Sequence, residues 1–281
     1  MQNIGLMMTY NEGDIIEEVM SSYVKHFDKI FVIDGSDDNT EEVIRSYDAV
    51  KYFIKDQDLY PKRKICDGVR QFLLEKAQEM YGYEGWFSIL HGDEIMVDDP
   101  NEVVMRANKK GAEIVNWHSL NFFLHTSQLK QKFTNKKSIQ DQIIYYQPGA
   151  IEVRQFKNKK GLFYNLNLVS SVLPHGLKNI PLLDYPILKH YWHRFPEYRM
   201  NKPNNGVAYW RPDEKRTIKY EECFKDRLYD DYKLVRKYDG SFYELAPGNR
   251  PNFFKQWLAW RKYKPIHWGV LEPMLKKIRR I

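Results

Sequence analysis

Short apolar runs alternate with stretches of helical periodicity through the first 120 residues. Residues 3–9 (NIGLMMT), 29–34 (KIFVID), 50–54 (VKYFI), 86–90 (WFSIL) and 112–117 (AEIVNW) have the length and β-branched or aromatic content of buried strands. Between the first two, Ile15, Ile16, Val19, Met20, Tyr23 and Val24 fall on one helical face, and Asp14 with Glu17 three residues on has the form of a capping box. A short helix is expected from Thr40, with Val43, Ile44 and Tyr47 inward. A longer one is expected over residues 65–80, with Val69, Phe72, Leu73 and Ala77 inward. Asp99-Pro100 marks a further helix start, with proline at the first helical position. This order predicts an α/β fold with a mainly parallel sheet and helices on both faces.

In such sheets ligands bind at the carboxyl ends of the strands. Three of those ends are polar: Thr9-Tyr10-Asn11-Glu12, Asp34-Gly35-Ser36-Asp37-Asp38 and His91-Gly92-Asp93-Glu94. A single acidic strand end is usually a turn or a cap, but three on one edge predict a site. No G-x-G-x-x-G follows the first strand, which argues against a dinucleotide fold, and no G-x-x-x-x-G-K-[ST] is present, which excludes a P-loop.

Charge and composition narrow the ligand. Aromatic residues make up 15% of the 281, which suits a carbohydrate or nucleobase. The net charge is +7, and residues 251–281 hold eight cations against one acid, 8 − 1 = +7. The other 250 residues therefore balance, with 36 bases and 36 acids, so the body is no polyanion binder. In the basic tail Phe253, Phe254, Trp257, Leu258 and Trp260 recur at helical spacing. That pattern fits a helical extension lying on an anionic membrane surface, or one packed on the catalytic domain or on a second subunit in a homodimer. Nucleic acid is not expected as a partner, because no RNA-binding motif accompanies the basic aromatics. Cys66 and Cys223 lie far apart in no metal-type spacing. Without a leader-like start or a long apolar run, the expectation is a cytoplasmic protein, at most peripheral on the inner face of the membrane.

"TYNEGDIIEEV", "VIDGSDDNT" and "ILHGDE", in that order, resemble the family 2 glycosyltransferases of the GT-A fold, and "KHYWHRFPE" at 189–197 is similar to a segment of some members. The resemblance implies a GT-A catalytic domain over 1–200, with a nucleotide-sugar half at 1–120 and an acceptor half at 121–200, and a helical extension over 201–281. It implies that Thr9, Asn11, Glu12, Asp34, Ser36 and Asp37 surround the nucleotide of a UDP, GDP or dTDP sugar, and that Asp93 holds a divalent metal, Mn²⁺ or Mg²⁺. It also puts His190 at the diphosphate as a second ligand and Arg194 on phosphate. Arg63 is a further candidate for the diphosphate. One position departs from the family pattern: the first acid of its D-x-D is His91 here, an imidazole that suits Mn²⁺ better than Mg²⁺.

The chemistry explains the residue types. The leaving nucleoside diphosphate gathers negative charge as the glycosyl bond breaks, so a cation belongs there. An inverting transfer to a glycan or lipid-linked acceptor needs one base, for which Asp141 and Glu152 are the candidates. Trp117, His118 and Asn121 are expected just past the fifth strand, on the acceptor side. Two other readings stand beside this one: a GT-A domain that holds nucleotide or glycan without turnover, and a sugar nucleotidyltransferase.

Overall fold

The computed structural model describes residues 1–56, 67–134, 137–164, 173–178, 180–182, 184–191, 194–196, 219–228 and 235–245. Among the described residues ten strands form one sheet: β1 (Asn3–Thr9), β2 (Ile30–Asp34), β3 (Val50–Lys55), β4 (Trp86–His91), β5 (Glu94–Met96), β6 (Ile114–Phe123), β7 (Tyr145–Lys157), β8 (Pro181–Leu182), β9 (Ile187–His190) and β10 (Arg236–Lys237). The order is β3-β2-β1-β4-β7-β6-β9-β5, with β10 on β7 and β8 on β6. The strands β3, β2, β1 and β4 are mutually parallel, as the alternation predicts. Antiparallel pairing enters with β7, which lies between β4 and β6, and with β5 beside β9.

The apolar alternation of β1 and β2 distributes side chains to both faces. Met7, Ile30 and Val32 meet Ile16, Val19, Met20 and Tyr23 of helix α1 (Ile16–Tyr23) on one side. Ile4, Leu6, Phe31 and Ile33 meet Leu73, Leu74 and Ala77 of the long helix α3 (Asp67–Tyr81) on the other. Each such side chain taken fully out of water contributes about 1.5–3 kcal/mol. Helix α2 (Thr40–Arg45) precedes β3, and α4 (Pro100–Lys109) starts where expected, with the Asp99 side chain accepting from the Asn101 N–H at 2.8 Å.

Several expectations need correction. Asp14 does not cap α1; the helix begins two residues later without a side-chain cap, because the Asp14 carboxylate is drawn to Arg194. Phe72 is 37% exposed and lies against the Tyr52 ring, while Leu74 takes the inward place. The strand expected to end at Trp117 runs on to Phe123, so His118 and Asn121 lie within it and not past it. The short β5 directly after β4 was hidden in what reads as an acidic loop.

Of the expected extension 201–281, residues 219–228 and 235–245 are described. They carry two 3₁₀ turns and β10, and bury Cys223, Phe224 and Phe242 in the same core as α1. The Lys189 ammonium fastens this segment: it lies 4.5 Å from the Tyr238 ring centre and 5.6 Å from that of Phe242, and donates to Gln140 Oε1 at 2.9 Å. Residues 251–281 lie outside the described residues. Among the described residues no helix is long and apolar enough to cross a membrane.

Candidate active site

The sheet register brings the strand ends together: Thr9 pairs with Asp34, Asp34 with Lys55, and Met8 with His91. Asp34 is fully buried. Its Oδ1 accepts from Thr9 Oγ1 at 2.8 Å and from the Ser36 N–H and hydroxyl, and its Oδ2 accepts from Lys55 Nζ at 3.0 Å. These charge-assisted bonds offset the cost of burying the carboxylate. Asn11 turns the chain with φ +51°, a left-handed conformation that asparagine tolerates better than most residues. Its N–H donates to Ser36 Oγ at 2.7 Å, and its Oδ1 accepts the Asp37 N–H at 2.8 Å. The N–H of Glu12 reaches Thr40 Oγ1 at 2.9 Å, and that of Gly13 reaches Asp38 Oδ2 at 3.0 Å. The run of acids after β2 thus ties two loops into one rim; the side chains of Asp37 and Asp38 stay exposed.

The second rim is built at the β4–β5 turn. Gly92 has no room for a side chain, since a Cβ there would lie 2.6 Å from Glu12 Cγ. Asp93 follows, with its carbonyl accepting the Tyr191 N–H at 2.9 Å. Its Oδ2 is 3.4 Å from His190 Nε2 and 3.9 Å from Arg194 Nη1. The Arg194 guanidinium, almost wholly buried, also pairs with Glu12 and, through Nε at 3.0 Å, with Asp14 Oδ2. Burial acts to raise the Asp93 pKa, but the charges of His190 and Arg194 outweigh it and hold the carboxyl well below its usual range. Burial likewise acts to lower the His190 pKa, and Asp93 outweighs that and pushes it up.

His91 faces a different carboxylate, with Nδ1 3.4 Å from Glu94 Oε1. Glu94 is buried in a two-point pair with Arg154, whose Nε lies 2.8 Å from Oε2. Arg154 also holds Glu152 at 2.8 Å. Burial works to raise the Glu152 pKa, yet the guanidinium outweighs it and the carboxyl is lowered. Among the described residues no group of three or more His, Cys, Asp and Glu is arranged to hold a metal. Asp93 and His190 form a pair whose side chains are 23% and 21% exposed, so both can be reached from solvent.

Thr9, Asn11, Glu12, Asp34, Ser36, Asp93, His190 and Arg194 therefore share one edge of the sheet. Asp141 is exposed on the short helix α5 (Ile139–Gln142), which Glu18 caps by accepting from the Ile139 N–H at 2.6 Å, and its charge acts on Lys189 and Tyr191 on either side of His190. Trp117 is core, donating from Nε1 to Gln155 Oε1 at 3.0 Å. Arg63 lies outside the described residues. Sequence reasoning passed over Lys55 and Arg154, and read Asp14 only as a helix cap. Lys55 was the findable one, being the polar end of an apolar strand beside Asp34.

Residues 6–162 match the model of the Glycosyl transferase family 2. The chain belongs to that family. Its mostly parallel α/β sheet is consistent with a GT-A-like fold. Among solved structures, the family 2 chain is similar to TarS of S. aureus at 16% identity and a TM-score of 0.32, over 44% of this chain and 22% of TarS, so it spans about a fifth of that protein. It is also similar to a putative glucose-1-phosphate thymidylyltransferase from Bacillus anthracis, at 11% identity and a TM-score of 0.29, over 56% of this chain and 69% of that one. A UDP-glucose pyrophosphorylase complexed with UDP-glucose shows 8% identity and a TM-score of 0.28 over 56% and 76% of the two chains. Likeness of that degree carries no argument about substrate. Among proteins of curated function none matches the chain.

Proposed function

We propose that this family 2 chain is a glycosyltransferase that moves a hexose, with inversion, from a UDP, GDP or dTDP sugar to a glycan or lipid-linked acceptor. The observation that carries the reading is the convergence of Asp93, His190 and Arg194 beside the loops that Thr9 and Asp34 organise. The nucleoside would lie against the first rim and the diphosphate against the second. Asp34 already uses both oxygens, so contact with a ribose or base would replace a bond to Lys55, its partly exposed partner.

The Asp93–His190 pair fits a divalent ion that shares its coordination with a diphosphate. Mg²⁺ and Mn²⁺ sites of that kind take one or two protein groups and fill the rest with phosphate oxygen and water, and an imidazole favours Mn²⁺. Such an ion would neutralise charge on the leaving diphosphate. The chain's own groups orient the site: Arg194 fixes Glu12, Asp14 and Asp93 relative to one another, and Gly92 lets Glu12 close on the turn. His91, paired with Glu94, would stand behind the turn. Of the two base candidates, Glu152 is held by Arg154 and made a weak base, whereas Asp141 keeps an exposed carboxylate.

A thermal-shift series with UDP, GDP and dTDP, each with and without Mn²⁺, tests the reading. The matching nucleotide at a hundredfold excess over its Kd should stabilise the fold by about 2.7 kcal/mol. Asp93→Asn should abolish transfer and remove the Mn²⁺ dependence of that shift. Unchanged turnover in Asp93→Asn would rule out the assignment. Nucleotide binding with neither transfer nor hydrolysis of any sugar nucleotide would favour a holding domain instead.

A further inference from the structure

Asn121 of β6 stands opposite His190 of the parallel β9, and opposite Gln147 of β7 on its other side. It is 2% exposed, and its Oδ1 lies 3.2 Å from His190 Nδ1. An amide oxygen can only accept, so Nδ1 carries the proton in this contact. The far nitrogen, Nε2, is the one that faces Asp93 Oδ2 at 3.4 Å. Gly149 of β7 makes the arrangement spatially possible. A Cβ at 149 would fall 2.2 Å from Asn121 Nδ2 and 2.7 Å from its Cγ. The glycine is thus needed for space beside a buried side chain.

We propose that Asn121, seated by the missing side chain at Gly149, is a positioning residue that holds His190 with Nδ1 turned into the sheet and Nε2 presented to Asp93 and a diphosphate-bound cation. The cation part rests on the proposed function above; the ring orientation does not. Ligating histidines generally donate their other N–H to an oxygen that fixes ring and tautomer. Neighbouring strands hold Asn121 here, so the orientation is set before any ligand arrives.

Two measurements test this and separate it from the metal reading. In metal-free ¹⁵N-labelled protein, a protected Nδ1–H signal of His190 (assigned through His190→Gln) should be present. It should vanish in Asn121→Leu and in Gly149→Ala, and persist in Asn121→Asp. No such signal in the native protein, or one unaltered by Asn121→Leu, overturns the proposal. If Asn121→Leu does not fold, Gly149→Ala carries the same expectation. In the second measurement, Mn²⁺ affinity in the presence of UDP is read by electron paramagnetic resonance without turnover. Asn121→Leu should weaken it by about 10–100-fold, while Asn121→Asp should match or exceed the native value, since a carboxylate acceptor makes the imidazole a better ligand. Equal weakening in both variants would mark a purely structural role and overturn the cation part. A native protein that binds no Mn²⁺ while the ring proton behaves as expected would refute the metal reading alone.

Discussion

His118 lies in β6 at 4% exposure, and its pKa is pushed from 6.5 down to about 4. Burial is the main cause; a bond to the Gly149 carbonyl opposes it, and the charge of Arg236 adds to it. The fold therefore favours the neutral ring, while the unfolded chain takes up a proton as pH falls below about 6.5. Its contribution to stability is fully present above that pH and drains away on acidification until about pH 4. One pKa unit corresponds to about 1.4 kcal/mol, so between pH 7 and 4.5 the native protein should lose about 2–3 kcal/mol that a His118→Phe variant keeps. Urea unfolding of both proteins at the two pH values measures it. A parallel decline in both would show that other groups govern acid sensitivity. At the same scale Asp34, which ends β2, and the two acids after it are each accounted for. Asp34 gathers Thr9, Ser36 and Lys55, Asp38 takes the Gly13 N–H, and Asp37 contributes its backbone to Asn11.

At the scale of elements, a buried ion pair helps join the edge that carries the site to the antiparallel strand β7. Glu94 opens β5 and Arg154 sits in β7, and both are almost wholly buried. Arg154→Met should leave Glu94 with only His91 beside it and cost about 3–5 kcal/mol, the range for breaking a buried pair from one side. Adding Glu94→Leu should recover most of that loss, because two apolar groups then replace two charges. Denaturant midpoints of the single and double variants decide it; a double variant no better than the single would mean that the network does more than balance charge. The pair also illustrates what sequence could show. Strands β1 to β4 and their polar ends were legible because periodicity is a local property of the chain, and the helices between them fix the parallel order. Arg154 was illegible because its partner is 60 residues away and nothing local distinguishes it from a solvated arginine. Asp14 misled for the same reason. Followed by Glu17 it has the form of a cap, but Arg194, 180 positions later, takes the carboxylate. Strands β6 and β9, which bring Asn121 and His190 together, pair with neighbours whose order in the sheet no local pattern encodes.

For the whole molecule the unequal spread of charge matters most. All of the +7 excess belongs to residues 251–281, where cations interleave with Phe253, Phe254, Trp257, Leu258 and Trp260. A lipid-linked acceptor would favour an enzyme held at the membrane surface, and each lysine or arginine near an anionic leaflet contributes about 1 kcal/mol. Full-length protein should then sediment with anionic vesicles and poorly with neutral ones. Binding should weaken as salt rises, because the Debye length shortens from about 30 Å at 0.01 M to about 8 Å at 0.15 M. Protein ending at residue 250 should transfer normally to a soluble acceptor and poorly to a lipid-linked one. Packing of the tail on the catalytic domain or a second subunit gives the opposite pattern: no vesicle binding, and a shortened protein that melts lower or aggregates as apolar surface is bared. The described part of the C-terminal third sharpens the choice. Cys223, Phe224 and Phe242 already fill the core, and Lys189 holds the segment through the Tyr238 and Phe242 rings. A cut at 250 therefore spares those contacts, and a fall in the melting temperature of the shortened protein would be assignable to residues 251–281 themselves.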